Sequence, residues 1–70
     1  MPIALAPTNQ EIKIARILLS SKEVNHLASL GLTKDAKVTV LSSSAGAVVV
    51  LVKGSRLALD RQTASKIIVA

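Results

Sequence analysis

Residues 57–70 read LALDRQTASKIIVA, and this stretch decides the fold. Leu57 and Leu59 alternate as one face of a strand does. Asp60 follows, a residue whose carboxylate accepts the unpaired amides at a helix start. The next residues hold a single helical turn, with Ala64 its only apolar side chain and therefore expected to point inward. KIIVA, residues 66–70, is again a strand. The turn over 61–65 lets the chain reverse. The last strand can then cover an edge of a small sheet that would otherwise invite pairing with other chains. Its expected partner is the first strand, and the segment is expected to close a small barrel.

The residues upstream supply the rest of that barrel. RLAL, residues 56–59, is preceded by GS at 54–55, a two-residue hairpin turn with glycine first, as a type II′ turn prefers. AVVVLVK, residues 47–53, is rich in β-branched residues and reads as a strand. KVTVLS, residues 37–42, sets Val38 and Val40 against Lys37 and Thr39. SSAGA lies between these two as a loop. EIKIARILL, residues 11–19, changes parity: Ile12 and Ile14 fall on one face, Ala15, Ile17 and Leu19 on the other. That pattern calls for a bulge or a strand buried on both faces. Pro2 and Pro7 argue against helix in residues 1–10, which read as a lead-in.

The helix is SSKEVNHLASLGL, residues 20–32. Ser20 and Glu23 have capping-box spacing. Val24, Leu27 and Ala28 share a face. Gly31 stands where a left-handed residue ends a helix, with Leu32 folding back on Leu27. The expected architecture is mainly β: a small SH3-like barrel of about five strands, one α-helix in the N-terminal third, and a helical turn before the last strand.

Seventy residues make one domain, residues 1–70, near the lower size limit for folding without staples. There is no cysteine, which excludes disulfides and points to a cytosolic home. Half of the residues are apolar and none is aromatic, so Val, Ile, Leu and Ala must fill the core. The longest apolar run, AVVVLV, falls far short of the ~20 residues of a membrane helix. The N-terminus has neither the basic flank nor the apolar length of a signal peptide.

The net charge of +5 favours acidic partners. The cations come as spaced pairs rather than a block, and without aromatics there is no stacking platform for single strands. A basic nucleic-acid-binding barrel therefore rests on charge and fold alone. No catalytic set emerges, and Gly31, Gly46 and Gly54 stand too far apart for a phosphate loop. Glu23 and His26 share helical spacing and are the metal-ligand candidates. Two ligands fall short of the three or four that a stable site needs, and a solvated helix face accounts for both. No cofactor and no small-molecule substrate is expected.

The run Leu27, Leu30-Gly31-Leu32 resembles the LxxLGL of the FeoA family. Val52-Lys53-Gly54-Ser55-Arg56-Leu57-Ala58-Leu59 is similar to that family's VxGxxxAL, and Ala64-Ser65-Lys66-Ile67-Ile68-Val69 to its closing AxxIxV. Order and spacing together carry the resemblance. It implies an SH3-like barrel and a cytosolic accessory protein that binds and modulates FeoB, the membrane GTPase-transporter for ferrous iron. Domains of this kind also occur appended to metal-dependent repressors, which implies a regulatory alternative. Lys34 and Asp35 stand where the family has a Pro-Gly turn, and the lead-in lacks a customary glycine. Asp and Asn tolerate the left-handed conformation, so both turns are expected to survive.

The apolar surface then marks a docking patch. Val48, Val50 and Val52 point to one side of the sheet, and Val49 and Leu51 to the other. The helix is the first candidate cover for that second side. What it leaves open, with Leu30 at its edge, is the expected docking face. The expected contact residues are Leu30, Leu32, Val49, Leu51 and Arg56, with Lys53 and Arg56 steering an acidic partner.

Overall fold

The computed structural model describes residues 1–70. Five strands form one antiparallel sheet: β1 (Glu11–Ile17), β2 (Lys37–Ser43), β3 (Ala47–Val52), β4 (Ser55–Asp60) and β5 (Ile67–Val69). Helix α1 (Ser21–Ser29) joins β1 to β2, and the turn α2 (Arg61–Ala64) joins β4 to β5. The sheet order is β4-β3-β2-β1-β5.

The barrel bends at β1. Its first half pairs with β2, Glu11 to Lys13 against Thr39 to Lys37. Its second half pairs with β5, Ile14 against Val69 and Ile17 against Ile67. The register shifts between Ile14 and Arg16. Of the two readings that the change of parity allows, this is the bulge: an extra residue lets Ile14 and Ile17 both reach the core. A second shift lies between Val40 and Ser42 on β2.

The last strand pairs with the first, as the closing segment predicts. Asp60 caps α2, its carboxylate accepting from the Thr63 amide at 2.7 Å. Ala64 is fully buried. Arg61 Nη1 donates to Ser43 Oγ at 3.1 Å and to the Ser44 carbonyl at 2.9 Å, tying α2 to the β2–β3 loop.

The lead-in does more than its prolines suggest. Pro2 restricts φ without preventing a short 3-10 turn after it, Ile3–Leu5, in which Ile3 is fully buried. Met1 and Val69 exchange backbone hydrogen bonds, and Pro2 bridges Ile68. Pro2 has no N–H to leave unpaired there, so it suits a sheet margin. The outer side of β5 is thereby covered.

One turn differs from expectation. The β3–β4 loop is Lys53-Gly54, not residues 54–55, since Val52 pairs with Ser55. Both loop residues have positive φ, 50° and 79°, which makes the turn type I′ rather than II′. The glycine stands second because the first position is filled by a lysine that accepts the left-handed region. Asn9 and Asp35 also take positive φ, 61° and 72°, so the turns lacking glycine survive as expected.

The core is wholly aliphatic: Ile3, Ile14, Leu32, Val38, Val40, Val48, Val50, Val52 and Ile67 are its largest enclosed side chains, and no polar residue is buried with them. Beyond the N-cap, α1 contributes little. The Ser20 hydroxyl accepts from the Glu23 amide and donates to the Glu23 carboxylate. The helix stops at Ser29, and Gly31 (φ 96°) ends it in a Schellman arrangement, with the Leu32 amide on the Leu27 carbonyl at 2.9 Å. Leu27 is its one buried residue. Val24 is half-buried, and Ala28, expected inward, is exposed because a nine-residue helix beside a barrel turns only one narrow edge to it.

Candidate functional site

The register of β3 and β4 builds a surface on the outer side of the sheet. Leu51 lies opposite Arg56 and Val49 opposite Ala58. On the far side of β3, Thr39 is opposite Leu51 and Ser42 opposite Val49. Cross-strand partners share a face. Two rows therefore cross the outside of the barrel, Thr39–Leu51–Arg56 and Ser42–Val49–Ala58. Val49 and Leu51 are half-buried; Arg56 and Ala58 are exposed.

A groove of about 410 Å³ runs beside these rows. One wall is α1, with Glu23, His26, Leu27 and Leu30; the other holds Ala58 and Asp60. Leu30 is 41% exposed. It follows the last helical residue, where the chain turns toward Gly31, and it has no core position to occupy. Ala58 thus joins the groove to the outer face. Leu30 and Ala58 line the same groove, and Ala58 and Arg56 stand opposite Val49 and Leu51 on the outer face.

Leu32 does not belong to it. The Schellman ending folds it back beneath the helix, where it is fully enclosed, and it offers no surface to a partner. Ala58 is the residue that reading the sequence missed. Its small side chain carries no signal of its own, although its alternation with Leu57 and Leu59 already assigns it outward.

Glu23 and His26 both line the groove, yet no three His, Cys, Asp or Glu side chains come together in a way that could hold a metal ion. Asp60 has its carboxyl held below the usual carboxylate range by the Thr63 hydroxyl and then by the Thr63 amide. That serves the cap. No helix is long and apolar enough to cross a membrane.

The whole length, residues 1–70, matches the family model described as the FeoA domain. The chain belongs to the FeoA family. A relative from Methanocaldococcus jannaschii, "Putative Fe(2+) transport protein A", is 31% identical over 68 residues, 97% of this chain and 83% of that protein. Among solved structures, the crystal structure of an iron uptake regulatory protein, FeoA, is 28% identical, with a TM-score of 0.85 over 99% of this chain and 92% of the other. The solution structure of the FeoA protein of Chlorobium tepidum has a TM-score of 0.87 at 22% identity, covering 99% and 68% of the two chains. A manganese-dependent transcriptional repressor shares the fold over 39% of its length, with a TM-score of 0.83 over 96% of this chain at 21% identity. Within the FeoA fold, then, the α1–β4 groove adjoins the outer face of β3 through Ala58, which lines the groove and stands opposite Val49.

Proposed function

We propose that this FeoA chain is a cytosolic accessory protein of ferrous iron uptake that docks on the cytosolic part of the membrane GTPase-transporter FeoB and modulates its work. Membership of the FeoA family and the relative named for Fe(2+) transport support the iron-uptake role. The observation that carries the docking reading is that exposed Leu30 and Ala58 line one groove, and that Ala58 and Arg56 stand opposite Val49 and Leu51 on the adjoining face. An exposed apolar surface of this kind on a small barrel marks an interaction site. The chain supplies surface, not chemistry. Leu30 is the apolar anchor, the rows of β3 and β4 are the floor, and Arg56, with Lys53 in the adjoining turn, draws in an acidic partner.

Co-purification from detergent-solubilised membranes, with the full chain as bait, tests this. Recovery of the GTPase-transporter is the expected result, with loss of recovery on Leu30→Asp. Recovery of nucleic acid in its place, weakening steeply as salt rises, would favour the basic-barrel alternative instead.

A further inference from the structure

The two end strands of the sheet are treated differently. The outer side of β5 carries Met1 and Pro2. The outer side of β4 carries no backbone partner, since no hydrogen bond outside the strand ladders involves Arg56 or Ala58. The hairpin turn fixes which groups are free. With Lys53-Gly54 as a two-residue loop, Val52 and Ser55 exchange both ladder bonds. Alternation then gives ladder bonds to Leu57 and Leu59. The N–H and C=O of Arg56 and of Ala58 point away from β3, and both residues are exposed. Ala58 opens onto the groove whose far wall is α1. A trough with a strand on one side and a helix on the other has the shape for a single extended segment.

The charges along the edge are ordered. Arg56 lies toward the hairpin end; Asp60, with Lys22 and Glu23 across the groove, lies at the other. We propose that β4 takes an extended segment of a partner protein as a sixth strand, antiparallel, with a carboxylate of the segment against Arg56 and a cation against Asp60. Backbone pairing supplies affinity, and the two charges set direction and register. Ala58 leaves room at the centre for a larger side chain. The identity of the partner as the transporter's cytosolic region rests on the docking reading above; the pairing itself rests on the edge.

This chain's own β4 has the complementary order. A fluorescent peptide copying residues 55–60, laid antiparallel, sets its aspartate against Arg56 and its arginine against Asp60. The test titrates the full ¹⁵N-labelled chain with that peptide and with a second in which arginine and aspartate are exchanged. The first peptide is expected to bind about fivefold to tenfold more tightly than the second, and Arg56→Glu to remove that preference. At saturation, hydrogen exchange at the amides of Arg56 and Ala58 is expected to slow by about tenfold or more, with Leu57 and Leu59 already protected in the free chain. Failure of both peptides to bind, equal binding, or binding that leaves those two amides unchanged overturns the proposal. The transporter's cytosolic region separates the two claims. Binding of that region without slowing at Arg56 and Ala58 overturns the strand pairing and leaves the docking reading in place. A region that does not bind removes the docking reading, and the peptide result then decides on the edge alone.

Discussion

Leu51 of β3 and Arg56 of β4 lie directly across the ladder from each other on the outer face. An apolar side chain and an exposed cation therefore belong to one surface, and a partner that covers the first meets the second. Rim charges act chiefly on association rate. Arg56→Glu is expected to lower the association rate with an acidic partner by about tenfold at low salt, with the difference fading as salt rises. Stopped-flow or surface-binding kinetics at two ionic strengths measures this. An unchanged rate places the contact elsewhere.

The glycines give a graded test of the backbone. Gly31 has a φ of 96°, and a Cβ there would meet Val52 Cγ2 at 3.4 Å. Gly54 has a φ of 79° and open space around it. Gly46 has neither a positive φ nor a neighbour within 4 Å. Gly31→Ala and Gly54→Ala are each expected to cost about 1–2 kcal/mol, with Gly31→Ala the larger, because a side chain in the left-handed region meets its own carbonyl. Gly46→Ala is expected to be neutral or stabilising by about half a kcal/mol, through the unfolded chain. Urea midpoints at constant slope rank the three.

Asp60 links stability to pH. Its carboxyl is held below the usual range in the folded chain by the Thr63 hydroxyl and amide. The folded value lies below the unfolded one, so the contribution is present above the unfolded value and lost as pH falls through the folded one. Asp60→Ala is expected to lower the melting temperature at neutral pH and to flatten the loss of stability below the usual carboxylate range. Asp60→Asn keeps an acceptor for the cap and is expected to lose less at neutral pH while flattening the acid limb equally. Thermal melts from neutral pH down to strongly acid solution check both.

The lead-in is structural. Ile3 is fully buried although it precedes every strand. Ile3→Ala is expected to cost about 2–5 kcal/mol, as for other enclosed aliphatic residues. On a domain this small, equilibrium unfolding would show that at once. A cost below about half a kcal/mol would mean that residues 1–6 do not pack as described.

What the sequence disclosed, and what it withheld, follows from range. Local patterns were readable: the Ser20 and Asp60 caps, the Gly31 ending, the alternation of β3, and the change of parity in β1, which left a bulge or a strand buried on both faces. The closing strand could be foreseen because an apolar run after a capped turn has little else to do than cover an edge. The lead-in could not, since Pro2 looks alike whether it starts a loop or sits at a sheet margin, and only Val69 decides between them. The hairpin turn was misplaced by one residue because Gly54 satisfies either position, and the choice lies with Lys53, whose positive φ no propensity forecasts. Of the expected contact residues, Val49, Leu51 and Arg56 lie on the outer rows of β3 and β4, and Leu30 lies on the groove wall. Leu32, also an expected contact residue, is enclosed by the same Schellman ending that folds it back on Leu27.

Leu30, an exposed apolar residue at the end of α1, is the proposed anchor for the partner, as distinct from the core beneath it. The direct measurement is paired: calorimetric titration of the transporter's cytosolic region with the parent chain and with Leu30→Asp, alongside urea unfolding of both. Leu30→Asp is expected to lose at least about tenfold in affinity, the range of a buried interface anchor, with the unfolding free energy changed by no more than about 0.5–1 kcal/mol. Undiminished binding by a stable variant, or unfolding at much lower urea that makes Leu30 part of the core, would contradict it.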